Sequence, residues 1–331
     1  MYRIKRSMNN EPFLLKPIGK DYIWGGNKLN EEFSKEIDLS PLAETWECSV
    51  HPDGESIIAS GAFKGEKLVD ILNRYPHFLG THPGKELPIL IKLIDAQKNL
   101  SVQVHPDDIY ALSHEGERGK TEMWYVLEAA ENAKLIYGFR KNVNREEVKV
   151  AIETLSLEKL LQKVHIKKGD VFFIPAGTVH AICAGAIIAE VQESSNITYR
   201  IYDYNRTDKQ GKKRQLHIAK ALDVMCYDAA IEPRQPLRVK RFHNGYCTEL
   251  LCRCQYFQVE RMIVNTERTR KMAIFKTGSN TCQILLCTDG CGVLFWDNGY
   301  IDFYRGDCIF LPADSKELRI HGTSQFLSVS C

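Results

Sequence analysis

No apolar run in the 331 residues approaches the roughly 18 needed to span a bilayer. The best candidate, Ala181 to Ala189, is short and broken by Gly185, so no membrane role is expected. Met1 to Asn10 has basic residues but no apolar core behind them, so no secretory leader is expected. An excess of one charge is also lacking: 44 Lys and Arg against 42 Asp and Glu leave +2, which gives a nucleic-acid partner no support. The 11 cysteines are an odd number, scattered, without any CxxC pair. That favours buried, reduced thiols and a cytoplasmic setting over a disulfide framework. Cys252 and Cys254 form a lone CxC with no second pair to complete a metal site.

What is present is a chain of ordinary globular composition, 44% hydrophobic and 26% charged, with many short strand-like runs. Pro88 to Asp95 reads as a continuous apolar strand interrupted by Lys92, a lysine at an edge, snorkelling, or held for an anion. Met123 to Leu127, Lys134 to Phe139, Ile187 to Gln192 and Ile197 to Tyr204 read as further strands. Leu68, Ile71 and Leu72 give Gly65 to Arg74 helical spacing, and His217 to Met225 reads as a short helix. Asn144 as cap, Glu147 three residues on, and Val148, Ile152, Leu155 and Leu160 as apolar stripe predict a helix over 144–164. Turns are expected at Thr277 to Asn280 and Thr288 to Gly290. One pattern repeats: Gly169-Asp170-Val-Phe-Phe-Ile-Pro175-Ala176 returns as Gly306-Asp307-Cys-Ile-Phe-Leu-Pro312-Ala313. The expected fold is mainly β, with two related β-barrel or jelly-roll units and a few helices. Residues 1–225 form the first unit and 226–331 the second.

Ser101, Gln103 and His105 share one face if Ser101 to His105 is a strand. That polar face is either solvated or the wall of a pocket. Glu122 follows 17 residues later and His180 comes after the first Gly-Asp repeat. Two histidines, a carboxylate and an amide oxygen suit Zn²⁺ or another first-row divalent ion. The second repeat has Glu317 where the first has His180 and no Gln-Val-His before it, so the chemistry belongs to the first unit. His51-Pro52 and His82-Pro83 show that His-Pro alone is a weak signal, and His51, leading into a Pro-Asp-Gly turn, reads as structural.

Ser-Val-Gln-Val-His-Pro-Asp-Asp, Gly-Lys-Thr-Glu-Met-Trp-Tyr-Val, Ile-Pro-Ala-Gly-Thr-Val-His-Ala and Ile-Thr-Tyr-Arg-Ile-Tyr-Asp-Tyr together resemble the type I mannose-6-phosphate isomerases, in their short bacterial form. Ile-Trp-Gly-Gly and Glu44-Thr45-Trp46-Glu47 resemble that family too. The resemblance implies a cupin fold, with the second unit degenerate, and one zinc ion held by Gln103, His105, Glu122 and His180. It implies a catalytic Arg200, an active-site Lys120 and an acidic pocket residue, Glu190. It further implies Lys92 and Ser101 lining a sugar-phosphate pocket, with Arg206 placed there by spacing alone. His180 comes 58 positions after Glu122, which leaves no room for the helical insert of longer members. The implied reaction interconverts mannose 6-phosphate and fructose 6-phosphate through a cis-enediol, with Lys120, Glu190 or a metal-bound water as rival bases. Two other functions fit a cupin: an iron-dependent oxygenase, and a sugar-phosphate binder without catalysis.

Overall fold

The structure is a computed structural model and describes residues 10–81, 86–207, 210–234 and 239–331. His82-Pro83 and all of Met1 to Asn10 except Asn10 lie outside the described residues, as do Asp208 and Lys209 of the polar loop before Arg214.

The chain is mainly β, in antiparallel sheets. A six-stranded sheet runs Val171–Ile174, Glu122–Ala129, Ala186–Glu193, Ile89–Ala96, Glu44–Cys48, Ile18–Lys20. A five-stranded sheet runs Tyr199–Tyr202, Val102–Val104, His180–Ile182, Lys134–Phe139, Leu161–His165. The third, ten-stranded sheet takes most of its strands from residues after 239, and Phe13–Lys16 crosses over to join it beside Cys308–Leu311.

Packing explains why Ile89–Ala96 reads as unbroken apolar sequence: the sheet is buried on both faces. Ile91, Leu93, Met123, Tyr125, Ala189 and Val191 point outward into a core shared with Ile284, Phe310, Leu327 and Val329 of the ten-stranded sheet. The alternate residues point inward. Lys92 is therefore in a central strand, paired on both sides, and not at an edge. The outer face of the five-stranded sheet packs Val102, Val104 and Ile201 against Val148, Ile152, Ala221 and Leu222 of two helices.

Local expectations hold where cap and periodicity agree. The helix Leu68–Arg74 buries Leu68, Ile71 and Leu72. Asn144 caps the next long helix, its side chain accepting from Glu147 N at 2.9 Å. That helix, however, covers Arg145–Glu153 and not 144–164. Leu155 takes a left-handed φ of 55°, a 3₁₀ turn follows at Leu157–Lys159, and Leu161–His165 becomes an edge strand. The apolar Leu160 and Leu161 belong to the end of that turn and to the strand, so the apolar spacing runs on across a chain reversal. Thr288 to Gly290 is likewise not a turn between strands but a bulge inside Gln283–Trp296, with a register shift between Cys287 and Asp289.

The repeated Gly-Asp motif is the same turn twice. Asp170 Oδ2 accepts from Lys167 N at 3.1 Å, and Asp307 Oδ2 from Tyr304 N at 2.8 Å. Gly169 N donates to Val126 O and Val126 N to Asp170 O; Gly306 and Asp307 bond Cys287 in the same pattern. Both glycines have left-handed φ, 89° and 101°, which an L side chain resists. The registers then put Glu122 opposite Ile174 and Gln283 opposite Leu311. Gln283 therefore stands in the second copy where Glu122 stands in the first.

Candidate metal centre and active site

Cross-strand pairing builds the site. On the inner face of the six-stranded sheet, Trp46, Lys92, Glu190 and Trp124 are consecutive partners on four neighbouring strands. On the facing sheet Arg200, Gln103 and His180 are consecutive partners on three strands. Glu122 lies two residues before Trp124 on the same face, and His105 follows the strand that carries Gln103. Between them lies a cavity of about 270 Å³, close to the lower bound of roughly 300 Å³ for small-ligand sites.

His105, Glu122 and His180 converge. Glu122 Oε2 is 3.5 Å from His105 Nε2, and Oε1 is 3.2 Å from His180 Nε2. These three form the one group, among the described residues, whose ligand atoms lie within 4.8 Å of each other. Each imidazole has its Nδ1 within 2.8 Å of a backbone carbonyl, Ile197 O for His105 and Thr178 O for His180. Nδ1 therefore donates, and Nε2 is left with a lone pair aimed into the cluster. His105 Nε2 and both Glu122 carboxylate oxygens are buried without a hydrogen-bond partner. Such orphans are costly in a finished core and ordinary in a metal site, so the residues fit a divalent cation. The protonation states agree. Burial, with Lys120 and His180, holds His105 well below the usual imidazole range; burial brings His180 down to about 4. Burial, with Glu190 nearby, pushes Glu122 up to about 8, a carboxylate that wants a cation. Gln103 lies beside the cluster: its amide nitrogen is 3.4 Å from His180 Nε2, and its amide oxygen accepts from Ser101 Oγ at 3.4 Å.

The other expected residues gather around this cluster. Lys120 Nζ is 3.3 Å from Glu122 Oε2. Glu190 accepts from Trp124 Nε1 at 2.7 Å and from Lys92 at 3.3 Å. Burial alone would raise its pKa, but Lys92 and Lys120 more than offset that and hold the carboxyl below its ordinary value. Lys92 is also 3.8 Å from Glu44, whose carboxylate accepts from Trp46 Nε1 at 3.0 Å. Burial works against the ammonium, yet Glu44 and Glu190 raise its pKa above the ordinary lysine value. Lys92 thus sits charged between two carboxylates, each held by an indole. Arg200 Nε donates to Ser101 Oγ at 3.1 Å.

Arg206 is not among the cavity-lining residues. Its guanidinium pairs with Asp203 and donates to Asn99 O, and the lining arginine beside Arg200 is Arg214. Arg214 also pairs with Asp203, at 2.6 Å. Burial and the neighbouring Arg214 both depress the pKa of Arg200, the mark of crowded cations with too few anions. Glu44, Arg214, Tyr22, Thr198 and His217 line the cavity without having been singled out from the sequence. For Glu44 a signal existed, an acid two residues before Trp46 in a strand with no exposed face. For Arg214 none did, because it sits in a loop full of charges.

Cys252 and Cys254 hold no metal cluster with the described residues. Burial pushes both thiols up, Cys252 to about 12, as inert core cysteines. His51 is structural: its Nδ1 accepts from Asp53 N at 3.1 Å in the Pro-Asp-Gly turn.

The model of the catalytic domain of type I phosphomannose isomerase matches residues 13–133. The mannose-6-phosphate isomerase ManA of Bacillus subtilis is 34% identical over 319 residues, covering 96% of this chain and 98% of that protein. A crystal structure of the Bacillus subtilis mannose 6-phosphate isomerase superposes with a TM-score of 0.88 at 34% identity, over 97% of this chain and 99% of the other. A structure of a mannose 6-phosphate isomerase bound with zinc and yttrium superposes with a TM-score of 0.74 at 17% identity, over 96% and 98% of the two chains, and bears on the fold.

Proposed function

Since the chain belongs to the type I phosphomannose isomerase family, we propose that it interconverts mannose 6-phosphate and fructose 6-phosphate by zinc-assisted proton transfer through a cis-enediol. The observation that carries the zinc is the cluster of orphaned donor atoms on His105 and Glu122 facing His180. Gln103, His105, Glu122 and His180 would hold one zinc ion, which supplies Lewis-acid stabilisation of developing negative charge on the sugar oxygens. That a related isomerase structure carries zinc supports the choice of metal.

The chain's own groups do the rest. The reaction moves a proton between C2 and C1, so it needs a group that can hold that proton on one face of the sugar. Lys120 and Glu190 both line the cavity. Both oxygens of Glu190 are engaged, one by the Trp124 indole and one by Lys92. Lys120 contacts the cluster only through Glu122, at 3.3 Å, a carboxylate that would be engaged by the cation. Lys120 is therefore the proton carrier, and Glu190 a fixed negative charge that keeps Lys92 and the pocket in register. Arg200, cationic throughout, stabilises the enediolate oxygens from the opposite sheet. Ser101 and Arg214 receive the phosphate, and Arg206 supports Arg214 by bracing Asp203.

The substrate is a free sugar phosphate, and no helix of the described residues is long and apolar enough to cross a membrane. We place the protein in the cytoplasm, where its cysteines stay reduced. Residues 1–225 form the catalytic unit and 226–331 a companion without metal ligands. The test is an assay of mannose 6-phosphate turnover coupled to fructose 6-phosphate detection. Removal of metal by chelation should abolish activity, and zinc should restore it with one ion bound per chain. Undiminished turnover by metal-free protein would refute the zinc role.

A further inference from the structure

Lys120 sits on a stretch without regular structure, between the helix Asp108–His114 and the strand Glu122–Ala129. Residues 112–118 are exposed, and the chain dives into the interior at Gly119. A side chain asked to move a proton needs a fixed backbone beneath it. Here the fixing is explicit. Gly119 N donates to Asp108 Oδ1 at 2.8 Å, Lys120 N to Pro106 O at 3.0 Å, and Thr121 N to Glu193 Oε1 at 2.7 Å. Glu193 N returns to Thr121 O, and Ser195 Oγ donates to Arg118 O.

Two of those three amides are received by carboxylates, one on each side of Lys120. Plain backbone satisfaction does not need acids, and Glu193 is buried with its second oxygen unpartnered. Both of these bonds are short, 2.8 Å at Asp108 and 2.7 Å at Glu193. The anchors are also tied to the chemistry: Asp108 lies three residues after the metal ligand His105, and Glu193 three after Glu190. The remaining oxygen of Asp108 accepts from the hydroxyl of Tyr256 at 3.0 Å, across 148 residues of sequence. Tyr256 sits in the turn between Tyr246–Arg253 and Gln258–Asn265, in the part of the chain that carries no metal ligand.

We propose that Asp108 and Glu193, with Tyr256 of the C-terminal unit behind Asp108, are positioning residues that hold Lys120 against Glu122 for proton transfer. The C-terminal unit is then part of the catalytic apparatus through one hydroxyl. The proposal rests on the role given to Lys120 above.

The test uses full-length, zinc-loaded protein and four variants: Lys120→Ala, Asp108→Ala, Asp108→Asn and Tyr256→Phe. Asp108→Ala should lower kcat about ten-fold or more with KM and zinc content held within about two-fold, since misplacement alone can cost up to about 100-fold. Asp108→Asn, whose amide oxygen can still receive Gly119 N, should recover most of that loss. Tyr256→Phe should lower kcat at unchanged KM and speed amide exchange at residues 119–121 with the melting temperature unmoved. A purely structural role would move the melting temperature and leave that split absent. If Asp108→Ala does not fold, Tyr256→Phe decides alone. Wild-type kcat and wild-type exchange in Tyr256→Phe, beside an inactive Lys120→Ala, would overturn the positioning role and leave Lys120 in place. A fully active Lys120→Ala would overturn both.

Discussion

At the scale of single residues, the site is a set of buried charges, some fully engaged by their neighbours and others crowded by like charge. Lys92 is held by Glu44 and Glu190 and points its charge at no solvent. Arg200 and Arg214 repel each other across the cavity mouth, with Asp203 as the nearest anion. A dianionic phosphate would relieve that crowding. Arg214→Ala is therefore expected to raise KM for mannose 6-phosphate at least ten-fold with little change in kcat, and Arg206→Ala to have the smaller effect, in steady-state kinetics. Equal effects of the two would remove the distinction drawn between them. Glu193 carries a second expectation. Burial, with Asp108 close by, pushes its carboxyl from 4.5 up to about 7. Between those values the unfolded chain has released a proton that the folded chain keeps, so stability falls as pH rises from about 4.5 through about 7. The contribution is at most about 3 kcal/mol. Glu193→Gln, which keeps an acceptor for Thr121 N, should flatten that slope in denaturant titrations of zinc-loaded protein. An unchanged slope would show that Glu193 is ionised throughout.

At the scale of elements, strand alternation does most of the work. Ser101, Gln103 and His105 were legible as one polar face, and the inner row Trp46–Lys92–Glu190–Trp124 follows from the same period of two once the pairing is known. The pairing itself was not legible. Nothing local to Ile89–Ala96 says that Glu44–Cys48 lies on one side and Ala186–Glu193 on the other, so the sequence alone leaves an edge position for Lys92 open. Asn144 announced the start of its helix through a local bond to Glu147, whereas the end at Glu153 depends on Leu161–His165 finding Lys134–Phe139. Spacing along the chain points to Arg206, but both arginines bond Asp203 and it is Arg214 that reaches the cavity. Gly119 offers a test of how tightly the Lys120 segment is seated. A Cβ there would stand 2.5 Å from the carbonyl carbon of Asp107 and the nitrogen of Asp108, both backbone atoms that cannot swing aside. Gly119→Ala should cost about 1–3 kcal/mol of stability, by thermal or denaturant unfolding, and lower kcat as the segment shifts. A variant as stable and active as the parent would mean that the loop has slack.

At the scale of the whole molecule, the catalytic sheet is a shared wall. Its inner face builds the site and its outer face is core for the ten-stranded sheet, with Phe13 stacked on Phe310 at 5.1 Å where the first described strand crosses over. A chain ended at residue 225 would expose Ile91, Leu93, Met123, Tyr125, Ala189 and Val191 and leave Phe13–Lys16 without a partner. It is expected to aggregate or to lack a cooperative unfolding transition, checked by solubility and circular dichroism. A soluble, fully active fragment would contradict this. The sequence echo marks a turn that the two halves share, and the second half carries Gln283 in the place of Glu122. The inner row also bears on how the protein can be watched at work. Of its four tryptophans, Trp24 and Trp124 line the cavity and Trp46 bonds the carboxylate of Glu44 at its wall, while Trp296 belongs to the other core. Three of the four tryptophans therefore stand around one small volume. Tryptophan emission from unlabelled protein is expected to change when zinc or a sugar phosphate is added, a signal that needs no coupled enzyme.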